Sequence, residues 1–150
     1  MVAVFALVLL VGPLPLLRPE RRAWWNALER PEWAPTARPA AVSGVLVAAI
    51  EAIAAWLVWQ EVGWGAGIVT WLIHVAIAPL WWSMLIGRQR LSAAFTVLCV
   101  DWAALGIATA AFWVFVEPAG WLALASLAWL TWMGAVVFFL WQLNQPSRRH

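Results

Sequence analysis

Apolar residues occur along the chain in long unbroken runs rather than at strand-like alternation, and polar residues collect between the runs. Five runs stand out, approximately 2–17, 40–61, 67–86, 92–116 and 121–143, each bounded by Arg, Gly, Pro or Glu. At a rise of ~1.5 Å per residue the last four reach or exceed the ~30 Å hydrocarbon core, so each predicts a helix that crosses a bilayer with some tilt. The first, MVAVFALVLLVGPLPLL, is the shortest. It lacks a basic leading segment and a small-residue cleavage site, and so predicts a retained helix whose end is bent by Pro13 and Pro15. The expected fold class is an all-α membrane protein, a five-transmembrane-helix bundle forming one domain over 1–150, with an extended cytoplasmic loop at 18–39.

Composition narrows the function classes. The chain is 65% hydrophobic and only 11% charged, against roughly 25% charged residues in soluble domains. That excludes an ordinary soluble enzyme, a disordered regulator and a nucleic-acid arm. Net charge is only +2 and every one of the nine basic residues is Arg, which makes these charges topology signals rather than a polyanion surface. Arg18, Arg21, Arg22, Arg30 and Arg38 follow the first run, Arg88 and Arg90 the third, and Arg148 and Arg149 the fifth, so all share one face. The opposite loops carry Glu61 and Glu117. Basic loops are retained in the cytoplasm, which puts the N-terminus outside and the C-terminus inside, in what is expected to be a bacterial inner membrane. The single cysteine, Cys99, excludes a disulfide framework and a Cys-based zinc site.

Three ionisable side chains fall inside the runs: Glu51, His74 and Asp101. Each lies about ten to twelve residues from the Arg-rich side, or ~15–18 Å at helical rise, close to the midplane. A charge there costs from ~2.5 kcal/mol to far more unless it is neutralised, paired or wetted, so the three are expected to face inward as one polar cluster. That cluster is open to a His74–Asp101 bond with Glu51 protonated, to a proton relay, or to His74 as an axial haem ligand. No Ser-His-acid spacing, phosphate loop or metal-ligand run is present, and His150 reads as a terminal residue.

Fifteen tryptophans sharpen the picture. Trp56, Trp59, Trp64, Trp113 and Trp121 on one side, and Trp81, Trp82 and Trp141 on the other, fall where interfacial belts belong. Trp102, Trp129 and Trp132 lie near mid-span, the last two three residues apart and so on one helical face. Their flat π surfaces suit either core packing or the stacking of a planar ligand.

The segment WWNALERPEWAPTARP, residues 24–39, is the only extended polar stretch, and Pro31, Pro35 and Pro39 deny it a continuous helix. Through Trp24, Trp25, Leu28, Arg30, Pro31, Trp33 and Pro35 it resembles the corresponding loop of the tryptophan-rich sensory protein family, also called the TspO or translocator protein family. The resemblance continues through Trp81, Gly87, Arg88, Arg90, Ala93 and Ala94 around the third turn, then Trp102, Trp129 and Asn144, and so covers essentially the whole chain. It departs at Gly44 and Ala48, where the family has a pocket-lining Trp and Tyr, and at Ala78, Ala125, Ser126 and Val137. Trp102, Trp129 and Trp132 are expected to fill the space left at Gly44 and Ala48.

The resemblance implies a membrane protein that binds a porphyrin- or haem-type tetrapyrrole, or a similar planar apolar molecule, in the bundle interior, for sensing, transport or stress response. The expected ligand-binding set is Trp24, Trp33, Glu51, His74, Trp81, Asp101, Trp102, Trp129, Trp132 and Asn144. No cofactor is required, porphyrin or haem entering as ligand. The lipid bilayer is the other partner, nucleic acid is not, and a homodimer is expected from the resemblance and from the close-approach pair Gly106 and Ala110. A membrane enzyme of tetrapyrrole or lipid metabolism, or a structural subunit of a larger membrane complex, is the alternative.

Overall fold

Proline decides where the first apolar run stops being helical. In the computed structural model, which describes residues 2–145 and side chains from residue 7, helix α1 (Val2–Val11) ends one residue before Gly12-Pro13. A tight 3-10 turn, Leu14–Leu17, follows with Pro15 inside it. Pro13 offers no N–H to continue the ladder and disfavours helical geometry in the residue before it. At 10 residues α1 is ~15 Å long, half of a hydrocarbon core. The expected five crossing helices are therefore four helices long and apolar enough to span, plus this short one.

The stretch expected to be loop also differs. Pro19 sits in the first turn of helix α2 (Pro19–Ala27), where a missing N–H costs nothing, and Glu20 lies at the positive end of the helix dipole. Pro31 and Pro35 keep 28–36 irregular, whereas Pro39 is accommodated in the first turn of α3 (Ala37–Val62), which starts earlier than the sequence suggests. Counting both, the described residues hold six α-helices and no strand.

After α3, Gly63 turns the chain with φ +62°, a left-handed conformation suited to glycine. Helix α4 (Ala66–Trp82) runs on into one wide π turn, Ser83–Gly87. Helices α5 (Leu91–Phe115) and α6 (Glu117–Leu143) form a hairpin in which Gly120 is needed, since a Cβ there would lie 2.7 Å from the Trp113 Cα. α5 packs between α4 and α6, while α3 packs on α6 and α1. Arg148 and Arg149, and His150, lie outside the described residues.

The core divides in two. One cluster joins Leu16, Trp25, Ala37 and Ala41 to Trp81, Trp82, Leu85, Leu98 and Val137. The other joins Ala54, Val58, Ile68, Trp71, Phe112 and Ala119. Small residues on the inner side of α3, at Ala40, Ala41, Gly44, Ala48, Ala54 and Ala55, let the neighbouring helices approach closely.

Candidate functional site

Helices α3, α4 and α5 each carry one ionisable residue into the space where the two clusters meet. His74 places Nδ1 2.8 Å from Asp101 Oδ1 and Nε2 2.9 Å from Glu51 Oε2. Trp81, seven residues and two turns along α4 from His74, donates its indole N–H to Asp101 Oδ2 at 3.0 Å. All four side chains are buried, Asp101 completely. The array satisfies polar groups that lipid could not, and it ties three helices together through directional bonds rather than apolar contact alone. Both ring nitrogens of His74 are engaged by carboxylates, so no nitrogen is left free to ligate a haem iron. Among the described residues no group of His, Cys, Asp and Glu is arranged to hold a metal ion.

Beside this array is a cavity of about 30 Å³, lined by Glu51, His74, Trp81, Trp82, Asp101 and Trp129 together with small or apolar residues including Leu9, Gly44, Ala48 and Ala78. One water needs ~10–15 Å³, so the space is of the scale of two or three waters. Two polar atoms face unfinished bonding. Glu51 spends only Oε2 on His74, and Trp129 Nε1 is buried without a partner.

Aromatic surface forms one wall. Trp81 and Trp82 stack at 4.1 Å with 27° between planes, and Trp129 follows Trp82 at 6.5 Å and 32°. Trp82 does the space-filling expected of other residues. A Cβ on Gly12 would lie 2.6 Å from Trp82 Cδ1, and one on Gly44 would lie 3.3 Å from its Cζ2 and 3.1 Å from Pro13. The ring is thus held between the end of α1 and the first third of α3, where the bulk at Gly44 and Ala48 is missing.

The other expected site residues divide. Trp102, one residue and about 100° around α5 from Asp101, points outward, 44% exposed, and donates to Thr131 Oγ1 at 2.8 Å on an outer groove between α5 and α6. Trp132 is partly buried against the first cluster and does not line the cavity. The expectation that both fill the gap on α3 is corrected by the position of Trp82. Trp81 and Trp82, expected in an interfacial belt, are instead core residues at 1% and 5% exposure.

Trp24, Trp33 and Asn144 belong to a clasp at the Arg-rich end. Asn144 donates to the Glu29 carbonyl at 2.9 Å and accepts the Glu29 N–H at 3.1 Å. Asn26 Oδ1 accepts the Ala37 N–H at 3.0 Å, capping α3 from outside, and Trp25 Nε1 donates to the Pro35 carbonyl at 3.0 Å. Arg30 donates to the Pro35 and Asn26 carbonyls. Trp24 packs on the first cluster, while exposed Trp33 meets Phe139 edge-on at 5.6 Å.

Next to the clasp is a groove of about 330 Å³ lined by Gly12, Pro15, Arg18, Arg21, Pro79, Trp82 and Ser83. Trp82 is common to this groove and to the interior cavity.

Comparison with known proteins covers nearly the whole chain. The profile of the TspO/MBR family matches residues 1–142. Protein CrtK of Rhodobacter capsulatus is 27% identical over 130 residues, which is 84% of this chain and 81% of that protein.

Proposed function

The chain belongs to the TspO/MBR family of membrane proteins, and from that premise we propose that it binds a planar apolar ligand of the porphyrin or haem type in a membrane sensing, transport or stress-response role. The observation that carries this reading is the double position of Trp82. Trp82 is in the wall of the groove of about 330 Å³ together with Arg18 and Arg21, and also in the wall of the interior cavity together with Trp81 and Trp129. Ligand sites commonly occupy about 300–1,000 Å³, so the groove is of ligand size while the interior is not. A tetrapyrrole in the groove meets the edge of Trp82, its carboxylates reach the two guanidinium groups, and stacking on the ring or deeper entry requires the Gly12 end of α1 to part from Trp82.

Orientation follows the arginines: the clasp and the Arg88–Arg90 turn lie in the cytoplasm of a bacterial inner membrane, with the N-terminus outside. Gly106 and Ala110, on the outward side of α5, offer a second protomer close approach.

Quenching of tryptophan fluorescence by protoporphyrin tests the ligand. Saturable quenching in the micromolar range is expected, weakened about two- to tenfold by Trp82→Ala or Trp129→Ala. Arg18→Gln with Arg21→Gln should weaken protoporphyrin but leave a porphyrin without carboxylates unaffected. Absence of saturable quenching in the wild type would remove the reading and leave the membrane fold.

A further inference from the structure

Outside the bundle interior, the groove of about 330 Å³ beside the clasp changes character along its length. Its mouth is cationic. Arg18 and Arg21, three residues apart at the start of α2, both stand in the wall, while Glu20 and Arg22 do not. Among the described residues neither Arg18 nor Arg21 forms an ion pair, whereas Arg30 in the same clasp is held by the Pro35 and Asn26 carbonyls. From this mouth the groove runs back along α4 from Gly87 past Ile86 to Pro79, with Val11 of α1 opposite. Pro79 lies nine residues before Arg88, ~13 Å at helical rise, so the groove reaches from the headgroup level into the hydrocarbon. Val11, Ser83 and Gly87 are exposed, so the groove opens on the outer surface of the bundle, where lipid is the solvent. The 3-10 turn that brings Pro15 to this groove turns Leu14 and Leu17 to a second one. That second groove, of about 270 Å³, is completed by Ala41, Val42, Val45 and Leu46 of α3 and is wholly apolar.

We propose that the two grooves seat one anionic phospholipid, its phosphate between Arg18 and Arg21 and one acyl chain on each face of the Leu14–Leu17 turn, and that a carboxylated porphyrin must displace it. Guanidinium groups without a carboxylate partner suit a phosphate, which takes paired N–H bonds from them. Basic pockets on the cytoplasmic side of membrane helices hold acidic headgroups for the same reason. A zwitterionic lipid brings its own cation beside the arginines, and a fatty acid fills one apolar groove and leaves the other bare. The lipid seat stands on these grooves alone. Displacement rests on the planar-ligand reading above, which directs the porphyrin carboxylates to the same two guanidinium groups.

The test is native mass spectrometry of the full chain in detergent with an equimolar mixture of dioleoylphosphatidylglycerol and dioleoylphosphatidylcholine, which share their chains and differ in headgroup charge. One phosphatidylglycerol is expected to be retained, about tenfold in preference to phosphatidylcholine. Arg18→Gln with Arg21→Gln should abolish the preference. Arg88→Gln with Arg90→Gln removes the same charge from the same end but outside both grooves, and should leave the preference within about twofold. Ser83→Trp, which fills the first groove and keeps both arginines, should also lose the lipid. Protoporphyrin should release the lipid one for one, and a porphyrin without carboxylates should not.

Equal retention of the two lipids by the wild type would overturn the seat. So would a preference that falls as far in the Arg88 and Arg90 variant as in the Arg18 and Arg21 variant, since the charge of the whole end would then account for it. Oleate retained as well as phosphatidylglycerol would overturn the two-chain occupant. Where the Arg18 and Arg21 variant fails to fold, Ser83→Trp and the wild-type comparison decide. Protoporphyrin bound beside a retained lipid overturns displacement. Protoporphyrin that does not bind at all overturns the planar-ligand reading and displacement with it, while the lipid comparison still decides the seat.

Discussion

Asp101 is the side chain whose removal leaves most behind. Without it the Trp81 indole N–H and His74 Nδ1 lose their acceptor in a fully buried place. Breaking a buried polar pair on one side costs about 3–5 kcal/mol, so Asp101→Ala should lower the thermal stability of the detergent-solubilised protein severely. Asp101→Asn keeps the shape and one acceptor oxygen, and is expected to cost about 1–3 kcal/mol; equal melting of both variants and wild type would show that the array is not holding the bundle. The three ionisable residues were legible in the sequence because an ionisable group in an apolar run has few places to go. Trp102 and Trp82 were not, because depth was read without helical phase. Asp101 faces inward, so its neighbour Trp102 must face out. On α4 the spacing from His74 to Ala78 to Trp82, and from His74 to Trp81, puts both tryptophans on the buried face, a signal that position near a helix end obscured. The unpartnered Trp129 N–H depends on how α6 is rotated against α3, which no local pattern states.

Among the helices, the four long spans were legible because length and apolarity alone define them. What misled was proline in the 18–39 stretch, where it was read as keeping the chain out of helix, although the expected span 67–86 ran through Pro79 as the helix does. Pro19 and Pro39 begin helices, whereas Pro13 ends one, and only position relative to the first turn separates the cases. Glycine divides in the same way. Gly12 lies against the Trp82 ring, so Gly12→Ala should cost about 1–3 kcal/mol through overpacking. Gly106 faces open space in mid-α5, and Gly106→Ala should gain about 0.5–1 kcal/mol by restricting the unfolded chain. Paired thermal melts check the contrast, and a Gly12→Ala protein as stable as wild type would mean that α1 does not seat on Trp82.

For the whole molecule, the fold gives the described arginines, Arg18 to Arg90, one end and Glu61 with Glu117 the other. The Glu29–Asn144 bonds fix the clasp at the end where α6 finishes. With Cys99→Ala as background, an impermeant thiol reagent applied to intact cells is expected to label Glu61→Cys and spare Glu32→Cys. The reverse pattern would invert the proposed orientation. The clasp has a further consequence for how the chain is made. Its two halves are 115 residues apart, so during synthesis the segment before α3 waits, undocked, until the final helix has left the insertion machinery. Glu51, His74 and Asp101 are all delivered earlier, on α3, α4 and α5. Chain order thus makes the polar bonds among three helices available first, and the last helix supplies both Trp129 for the cavity and Asn144 for the clasp. A nascent chain stalled before α6 would leave the polar seam of Glu51, His74 and Asp101 without the cover that Trp129 and Leu130 supply.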